Sequence, residues 1–390
     1  MKIAFSSNYL NHHQEEFSIN LYKNDDVEYY FIANNPFNEK RLKLGYEDIN
    51  KKYDFIIRAY ESDDERKKAH KIIMESDVVI FGYGDEEILK ARVKEGKLTF
   101  RCAERLLKKG LWFRFFPPKM NRTYNRFTRY KKYKNFNVLC SSAYTAYDLT
   151  LSLFPLERCY KWGYYPPLKE YENVDEMISN KKINTLLWVG RFIEWKHPEV
   201  PVMLAEILKS HGYKFELHMV GTGPQEELIR ELVQEKKLED CVHVLGAMQP
   251  GKVREYMDFS EILLFSSNFK EGWGAVLNEA MNSACACVAS HAIGSAPYLI
   301  ENGVNGYIYE NGNIDELSKI VERLIDNPEN RRKISKAAYE TIVDVWNSKN
   351  AAENLVQLCK DLLNGAGDNN IKTGPCSKTD RFSNNWYIGE

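Results

Sequence analysis

The stretch INTLLWVGRFIEWKHPEVPVMLAEILKSHGYKFELHMVG, residues 183–221, predicts a strand, a helix and a second strand. Residues 183–190 and 214–221 are apolar runs of strand length, whereas the apolar residues of 198–212 recur at helical spacing. Pro198 lies near the first turn of that helix and Gly212 at its end, which are the positions these residues favour. Strands that alternate with helices predict a parallel sheet with helices on its faces.

The same alternation recurs along the chain in two series. The strand-like segments of the first series are KIAFSS, VEYYFIA, YDFIIRAY, DVVIFGYG, KLTFRC and FNVLCSS. The second series continues from residue 221 with VHVLG, EILLFSS, CACVAS and NGYIYE. A polar stretch after the proline pair 166–167 separates the series. We therefore predict an α/β protein with two doubly wound Rossmann-like domains.

The predicted domain bounds are 1–168 for the first domain, 169–182 for a linker and 183–362 for the second domain. A Gly- and Asn-rich tail, 363–390, carries aromatic residues that could pack back on the first domain. No segment reaches the ~18 apolar residues of a membrane span, and the N-terminus turns polar by Ser6. We expect a cytoplasmic protein. The eight cysteines lack zinc-ligand spacing and predict reduced core residues.

Polar segments follow four strands of the second domain. They are GRFIEWKHP from Gly190, GTGP from Gly221, SSNFKEGWG from Ser266 and HAIGSAP from His291. Ligands of open α/β sheets bind beyond the carboxyl ends of the strands, so these segments predict a binding site.

The residue types of these segments suit a diphosphate. Gly272 and Gly274 precede a predicted helix whose first amides could face an anion, while Arg191 and Lys196 supply two cations. The chain contains no D-x-D sequence that could hold a divalent metal ion. We therefore expect a metal-independent site with no cofactor, in which the two cations and the helix amides neutralise a departing diphosphate.

Two acids stand eight positions apart in FKEGWGAVLNEAM, residues 269–281. Glu279 lies within the predicted helix, where its carboxylate could accept hydrogen bonds from two vicinal hydroxyls such as those of a ribose. Glu271 lies in the turn before the helix, on the side where the sugar beyond the diphosphate would sit. Alternatively, Glu279 is an exposed helix acid, Arg191 pairs with a surface carboxylate, and Gly221 and Gly223 form an ordinary turn.

In combination, GR followed by Lys196, GTGP and EGWGAVLNEAM resemble the retaining glycosyltransferases of GT-B fold in the large bacterial family with an E-x7-E motif. The resemblance covers residues 183–350. It implies two domains facing a central cleft, Arg191 and Lys196 on the donor diphosphate, Glu279 on the ribose and Glu271 beside the donor sugar. The implied donor-binding set is Gly190, Gly221, Gly223, Gly272, Trp273, Gly274, Ala275, Val276 and Glu279. Tyr298 departs from the family pattern, since relatives often carry an acid there.

The first domain offers candidates for the acceptor side. SSNYLNHHQEEF follows the first strand and supplies Asn11, His12 and His13, which could orient hydroxyls or could be surface loop residues. TFRCAERL supplies Arg101 and Glu104. Glu104 could orient an acceptor hydroxyl or act as a base, or it could complement the dipole of a helix.

Residues 101–135 hold twelve Lys and Arg against one acid, Glu104. Aromatic residues are interleaved with these cations over 112–133, a pattern typical of a segment that lies on an anionic membrane surface. Alternatively, the aromatic residues pack on the domain and the cations form a solvated face. Nucleic acid is not expected as a partner, because no recognition motif accompanies the charge.

The residues and the resemblance together predict a glycosyltransferase that moves a hexose or N-acetylhexosamine from a nucleotide diphosphate sugar, with UDP favoured over GDP, to a saccharide hydroxyl. The resemblance implies that the anomeric configuration is retained. The basic segment favours a polyprenyl-diphosphate-linked acceptor and peripheral contact with the inner face of the cell membrane, as in capsule or O-antigen assembly. A nucleotide-sugar epimerase and a non-catalytic nucleotide-sugar-binding protein are the alternatives.

Overall fold

The computed structural model describes residues 1–38, 42, 47–365 and 370–388. The chain forms two compact units. The first unit comprises Met1–Pro167 and Trp346–Ser383, and the second comprises Leu168–Val345 and Asn384–Glu390. Each unit is built on its own parallel sheet, as the alternating pattern predicts.

The first unit holds a seven-stranded sheet in the order β3-β2-β1-β4-β5-β6-β7. Its strands are β1 Lys2–Ser7, β2 Glu28–Ala33, β3 Ile56–Arg58, β4 Val78–Phe81, β5 Leu98–Ala103, β6 Phe136–Cys140 and β7 Cys159–Lys161. Nearly every residue of β1, β4 and β6 is buried, as expected for strands covered on both faces. The short strand β7 was not predicted.

Helices flank this sheet. They are Glu15–Tyr22, Asp63–Glu75, Glu86–Lys94, Pro117–Arg126, Tyr144–Thr150 and Ser348–Leu363. The proline pair of the basic segment occupies the first turn of helix Pro117–Arg126, because proline needs no intrahelical amide bond there. The apolar and aromatic residues of the predicted membrane-facing segment 112–133 therefore fall into two sets. Met120 and Tyr124 are exposed on this helix, while Phe127 and Tyr130 are buried beyond its end.

The second unit holds a six-stranded sheet in the order β10-β9-β8-β11-β12-β13. Its strands are β8 Lys182–Val189, β9 Glu216–Val220, β10 Val242–Gly246, β11 Ser260–Phe265, β12 Ala286–Ser290 and β13 Tyr307–Tyr309. Its helices are Val174–Ser179, Glu199–Ser210, Glu226–Glu235, Pro250–Phe259, Val276–Asn282, Ala296–Leu299, Ile314–Asp326 and Pro328–Glu340. The last is followed by a π-helical turn, Thr341–Val345.

The strand order reverses direction at one point in each sheet. In the first sheet β1 pairs with both β2 and β4, and in the second β8 pairs with both β9 and β11. The connections leaving the two central strands therefore run to opposite sides, which opens a crevice at the carboxyl edge. The loops that follow β1 and β4, and those that follow β8 and β11, border these crevices.

The division of the chain differs from the predicted bounds in three places. Segment 169–182, predicted as a linker, packs within the second unit, where the buried Lys181 donates to the carbonyls of Met257 and Ser260 at 2.8 and 2.9 Å. Helix Ser348–Leu363 belongs to the first unit. The tail is shared: Cys376–Ser377 bonds to the edge strand β7, whereas Asn384 and the residues after it belong to the second unit.

In the described ranges of the chain, no helix combines the length and the apolar character that crossing a membrane requires.

Candidate functional site

The carboxyl edge of the second sheet brings together the loops that follow β8 and β11. The Ser266 hydroxyl, at the end of β11, accepts from Trp188 Nε1 at 2.9 Å and donates to the Lys196 carbonyl at 2.8 Å. The Asn268 amide donates to the Trp195 carbonyl at 2.9 Å. These bonds fix the β8 loop, which carries the predicted cations, against the β11 loop, which carries Glu271.

The glycines of the GTGP segment are required by packing. A Cβ on Gly221, whose φ is +138°, would lie 1.8 Å from the Gly190 carbonyl oxygen. A Cβ on Gly223 would lie 2.4 Å from the Phe192 carbonyl oxygen. The Phe192 amide bonds to the Thr222 carbonyl at 3.0 Å, so this segment supports the β8 loop from behind. Close backbone approach is sufficient to explain both glycines.

Lys196 and Glu271, two predicted catalytic residues, form an ion pair. Their side chains are 13% and 14% exposed, so a solvent-facing edge of the pair is accessible to a ligand. The ammonium group also lies 5.2 Å from the centre of the Phe265 ring. The pair has no net charge, which means that Lys196 is already compensated before any diphosphate binds.

Arg191, the second predicted cation, is exposed and lies on the same loop. Its guanidinium carbon is 5.5 Å from the centre of the Trp195 ring, within the range of a cation–π contact. Arg191 therefore lies on the same loop as Lys196, at a solvent-exposed position.

Glu279 lies in helix Val276–Asn282 with its side chain partly buried. Burial raises the pKa of this carboxyl from 4.5 to about 7, against the lowering effect of nearby Arg254. Arg254 donates to the Glu279 backbone carbonyl at 2.6 Å and to Asn282 Oδ1 at 2.7 Å. Among the described residues, no hydrogen bond is made by the Glu279 carboxylate itself.

The buried Trp273 side chain fixes the Gly-rich turn before this helix. Trp273 is 1% exposed, and its Nε1 donates to Asn278 Oδ1 at 2.7 Å. Its side chain therefore points into the core, and only its backbone can face a donor. Tyr298, which replaces the acid of the family pattern, is 9% exposed and packs 6.2 Å from the Trp273 ring.

The remaining predicted donor residues lie in the turn after Glu271 and at the first residue of the helix, Val276. Gly272 is buried, while Gly274, Ala275 and Val276 are partly buried. Gly274 has a φ of +89°, and a Cβ there would lie 2.7 Å from the Phe265 ring. The turn is thus shaped by the same aromatic ring that contacts Lys196.

Among the predicted acceptor-side residues, Asn11 stabilises the loop before helix Glu15–Tyr22. Its side chain accepts from the His13 amide at 3.0 Å, and its carbonyl accepts from the amides of Gln14 and Glu15 at the start of helix Glu15–Tyr22. The rings of His12 and His13 lie 3.8 Å apart, and His13 stacks on Tyr164 at 5.5 Å.

A polar cavity of about 350 Å³ lies beside these residues in the first unit. Its lining includes Asn8, Asn11, His13, Glu104, Ser141 and Tyr164. Glu104 accepts hydrogen bonds from Tyr164 and from Lys108. The cavity is therefore lined by hydroxyl, amide, imidazole and carboxylate groups, which together suit a saccharide.

Arg101 is less available than the sequence suggests. It is 1% exposed and forms two hydrogen bonds with Glu86, at 3.1 and 2.5 Å. Its guanidinium lies between the rings of Phe81 and Phe127, at 5.0 and 5.6 Å. Both terminal nitrogens of Arg101 are bonded to the Glu86 carboxylate. Arg101 would therefore act on a ligand mainly through its charge.

One group of metal-ligand residue types lies within the described part of the chain, at Glu216, His218 and His243. The group sits at the amino half of β9 and β10, whereas the loops described above leave the carboxyl ends. Lys182 donates to the Glu216 carboxylate at 2.6 Å and lowers the pKa of Glu216, so the acid already has a cation partner.

Arg254 and Asn268 are site residues that the sequence did not reveal. Arg254 lies in helix Pro250–Phe259, and nothing in its local pattern marks it as a neighbour of Glu279. Asn268 lies in a quoted segment, but its bonds to the β8 loop are long-range contacts.

Residues 171–341 match the family model of "Glycosyl transferases group 1". The matched range includes Lys196, Glu271 and Glu279, together with the loops around them.

Two curated proteins show what this chain is similar to. The amylovoran biosynthesis glycosyltransferase AmsK of Erwinia amylovora is 29% identical over 45% of this chain and 44% of its own length. The N-acetyl-alpha-D-glucosaminyl L-malate synthase of Bacillus anthracis is 29% identical over 38% of each chain. The matches thus span less than half the length of these relatives.

The fold is shared with solved structures over nearly the whole chain. Anabaena HepE, solved in complex with UDP, aligns with a TM-score of 0.64 at 15% identity and covers 93% of this chain and 100% of its own. The two parallel-sheet Rossmann-like domains and this likeness are those of a GT-B fold. The group 1 match falls on the second of the two domains.

Proposed function

We propose that this chain is a retaining, metal-independent glycosyltransferase. It transfers a hexosyl or N-acetylhexosaminyl group from a nucleotide diphosphate sugar, with UDP as the favoured nucleotide, to a saccharide hydroxyl in polysaccharide assembly. The match to glycosyl transferases group 1 supports the class of reaction. The amylovoran enzyme named above supports the polysaccharide setting.

The observation that carries the proposal is the state of Glu279. A half-buried carboxyl whose pKa is raised to about 7, with no hydrogen bond to the described protein, is costly unless a ligand supplies donors. Two vicinal hydroxyls of a ribose would supply them. Glu271 lies in the turn that precedes this helix and pairs with Lys196 of the β8 loop, which supports a donor that extends from the ribose to the sugar.

The proposed chemistry is charge neutralisation at the leaving group. The bond between the sugar C1 and the β-phosphate oxygen breaks, and the acceptor oxygen bonds to C1 on the same face. The acceptor proton passes to the departing phosphate oxygen, so no separate base is needed. Lys196 and Arg191 stabilise the diphosphate as its charge develops, which is the interaction that lowers the barrier.

Similar proteins support the proposals that the donor nucleotide is UDP and that the anomeric configuration is retained. HepE is described in complex with UDP and glucose, and its fold is that of this chain. Two curated relatives have names that specify alpha transfer, the alpha-D-kanosaminyltransferase of Streptomyces kanamyceticus and the poly(ribitol-phosphate) alpha-N-acetylglucosaminyltransferase of Staphylococcus aureus. Common UDP-hexoses are alpha-linked, so an alpha product corresponds to retention.

For the acceptor, we propose a lipid-linked saccharide reached at the membrane surface. Five apolar or aromatic side chains of the basic segment are exposed: Trp112, Phe115, Phe116, Met120 and Tyr124. Arg114, Lys119 and Arg122 lie among them. Exposed aromatic residues next to cations suit the headgroup region of an anionic bilayer, where each cation contributes about 1 kcal/mol.

The test is a panel of UDP- and GDP-sugars incubated with the full chain, with released nucleoside diphosphate as the readout. We expect slow release from at least one UDP-sugar, and a loss of ~100-fold or more in Lys196→Ala. Lys252→Ala, which removes an exposed cation from the same unit, is the matched control. Release that is equal in Lys196→Ala and in the control would refute the role of Lys196, and no release from any donor would favour a binding protein.

A further inference from the structure

A second cavity of the first unit is rich in cationic side chains. It has a volume of about 450 Å³ and lies beside the end of β5. Its charged lining, here called the cationic pocket, consists of Arg101, Arg105, Lys108, Lys109, Lys119, Arg122 and Arg126, with Glu104 as the single lining acid.

Among the ion pairs found in the described part of the chain, the carboxylates around the pocket are fewer than its cations. Glu86 serves both Arg101 and Arg126, Glu104 is paired with Lys108, and the buried Asp148 lies 3.7 Å from Arg105. Three carboxylates thus face seven cations. Lys119 and Arg122 are not among the cations that these carboxylates pair with. An excess of this size around one cavity favours an anion with several charges.

Lys119 lies in an unfavourable environment for a positive charge. Its side chain is partly buried, and burial together with Arg122, Arg126 and Lys108 lowers its pKa. A phosphate group in the pocket would relieve both effects, because it replaces lost solvation and opposes the like charges.

The two cavities next to the cationic pocket indicate which class of anion it would bind. On one side, the polar cavity described above shares the wall formed by Gly82, Cys102, Ala103 and Glu104. On the other, a groove of about 270 Å³ shares Leu106 and Thr123. This groove, here called the apolar groove, is lined by Leu107, Phe115, Met120, Tyr124 and Leu151 among others.

We propose that the cationic pocket binds the diphosphate of an isoprenoid-diphosphate-linked saccharide, with the sugar in the polar cavity and the first isoprene units in the apolar groove. The inference rests on the proposed function, for which it names the acceptor class. The order of polar, cationic and apolar surfaces matches the order of sugar, diphosphate and lipid in such a molecule. A free nucleotide or inorganic phosphate would leave the apolar groove unused.

The order of the three surfaces also assigns Glu104. Its carboxylate lies in the wall between the sugar and the diphosphate, where Tyr164 and Lys108 hold it. It is a positioning residue for the acceptor sugar.

The experiment measures binding of farnesyl diphosphate, inorganic pyrophosphate and farnesol by calorimetry. The Arg191→Ala/Lys196→Ala chain is used throughout, so that neither of the two proposed donor-site cations contributes to the binding of phosphate. We expect farnesyl diphosphate to bind at least ~10-fold more tightly than pyrophosphate or farnesol. The double variant Lys119→Ala/Arg122→Ala should weaken that binding ~10-fold or more, since two charge-assisted contacts are lost.

The matched control is Lys131→Ala/Lys132→Ala, which removes the same charge from exposed positions of the same segment outside the pocket. Equal weakening by the two double variants would overturn the proposal in favour of general charge attraction. Pyrophosphate binding as tight as farnesyl diphosphate would overturn it in favour of a free phosphate site. Failure of the proposed function is detected separately, as absence of donor hydrolysis by the wild-type chain without any acceptor.

Discussion

Replacing Glu279 with glutamine should make the protein more stable and less able to hold its donor. The pKa of Glu279 is raised from 4.5 to about 7 because burial disfavours the carboxylate. Each tenfold change in an acid dissociation constant corresponds to about 1.4 kcal/mol, so ionisation costs the folded state ~3 kcal/mol at most. Because the side chain is only partly buried, solvent screening reduces this to ~1–3 kcal/mol.

Proton linkage determines how the stability difference between Glu279→Gln and the wild type depends on pH. The folded state holds the Glu279 proton more tightly than the unfolded state, so the cost is full above about pH 7 and disappears as the pH falls toward 4.5. Glu279→Gln removes the charge and keeps the size. We expect its Tm to exceed that of the wild type by ~3–8 °C at about pH 8, with most of the difference lost at about pH 5.

The assay is differential scanning calorimetry at both pH values, combined with the KM for the donor. The donor KM of Glu279→Gln should rise ~10-fold or more, because the amide accepts fewer hydrogen bonds from the ribose than the carboxylate does. Glu231→Gln is the control, since Glu231 is exposed on helix Glu226–Glu235 of the same unit. A Tm difference that is absent at about pH 8, or equal at both pH values, would refute the burial argument.

Three further outcomes can be checked on the same preparations. The Glu271→Gln variant should bind UDP ~3–10-fold more tightly in calorimetry, because the substitution frees the Lys196 charge. The same variant should transfer the sugar more slowly. An unchanged affinity for UDP would contradict the role given to the Lys196–Glu271 pair. The Gly221→Ala substitution should lower the free energy of unfolding by ~3 kcal/mol or more in a denaturant titration. Gly212→Ala is the control, because Gly212 also has a positive φ but no atom lies within 4 Å of the added Cβ. It should lower the free energy of unfolding by only ~1 kcal/mol. Trp112→Ala should reduce cosedimentation with anionic vesicles several-fold and leave neutral vesicles unaffected; equal effects on both would argue against an interfacial role.

Much of the fold is present in the pattern of the sequence. Long apolar runs such as residues 183–190 become buried parallel strands, because both faces of each sheet are covered by helices. Strand β7 escaped prediction, since a three-residue strand carries too little periodicity. Helix Ser348–Leu363 was assigned to the wrong unit, because its amphipathic pattern predicts a helix without naming the sheet on which it packs.

The candidate site was less accessible to prediction. The type and spacing of Lys196, Glu271 and Glu279 indicate their loops and helix, since local sequence determines these. The partners do not follow from local sequence: Arg101 is held by Glu86, and Arg254 reaches the helix of Glu279 from another helix. Such contacts depend on how the elements pack, and a single sequence does not report that.

In the proposed reaction, the Lys196–Glu271 ion pair determines at which stage Lys196 would stabilise the diphosphate. Two free cations would bind substrate and leaving group almost equally, which lowers KM without raising kcat. A cation that is compensated by a nearby carboxylate gives little to the ground state and more when the departing diphosphate gains charge and competes for it. We therefore propose that the ion pair shifts the contribution of Lys196 toward the transition state, and that the exposed Arg191 provides the initial attraction for the diphosphate.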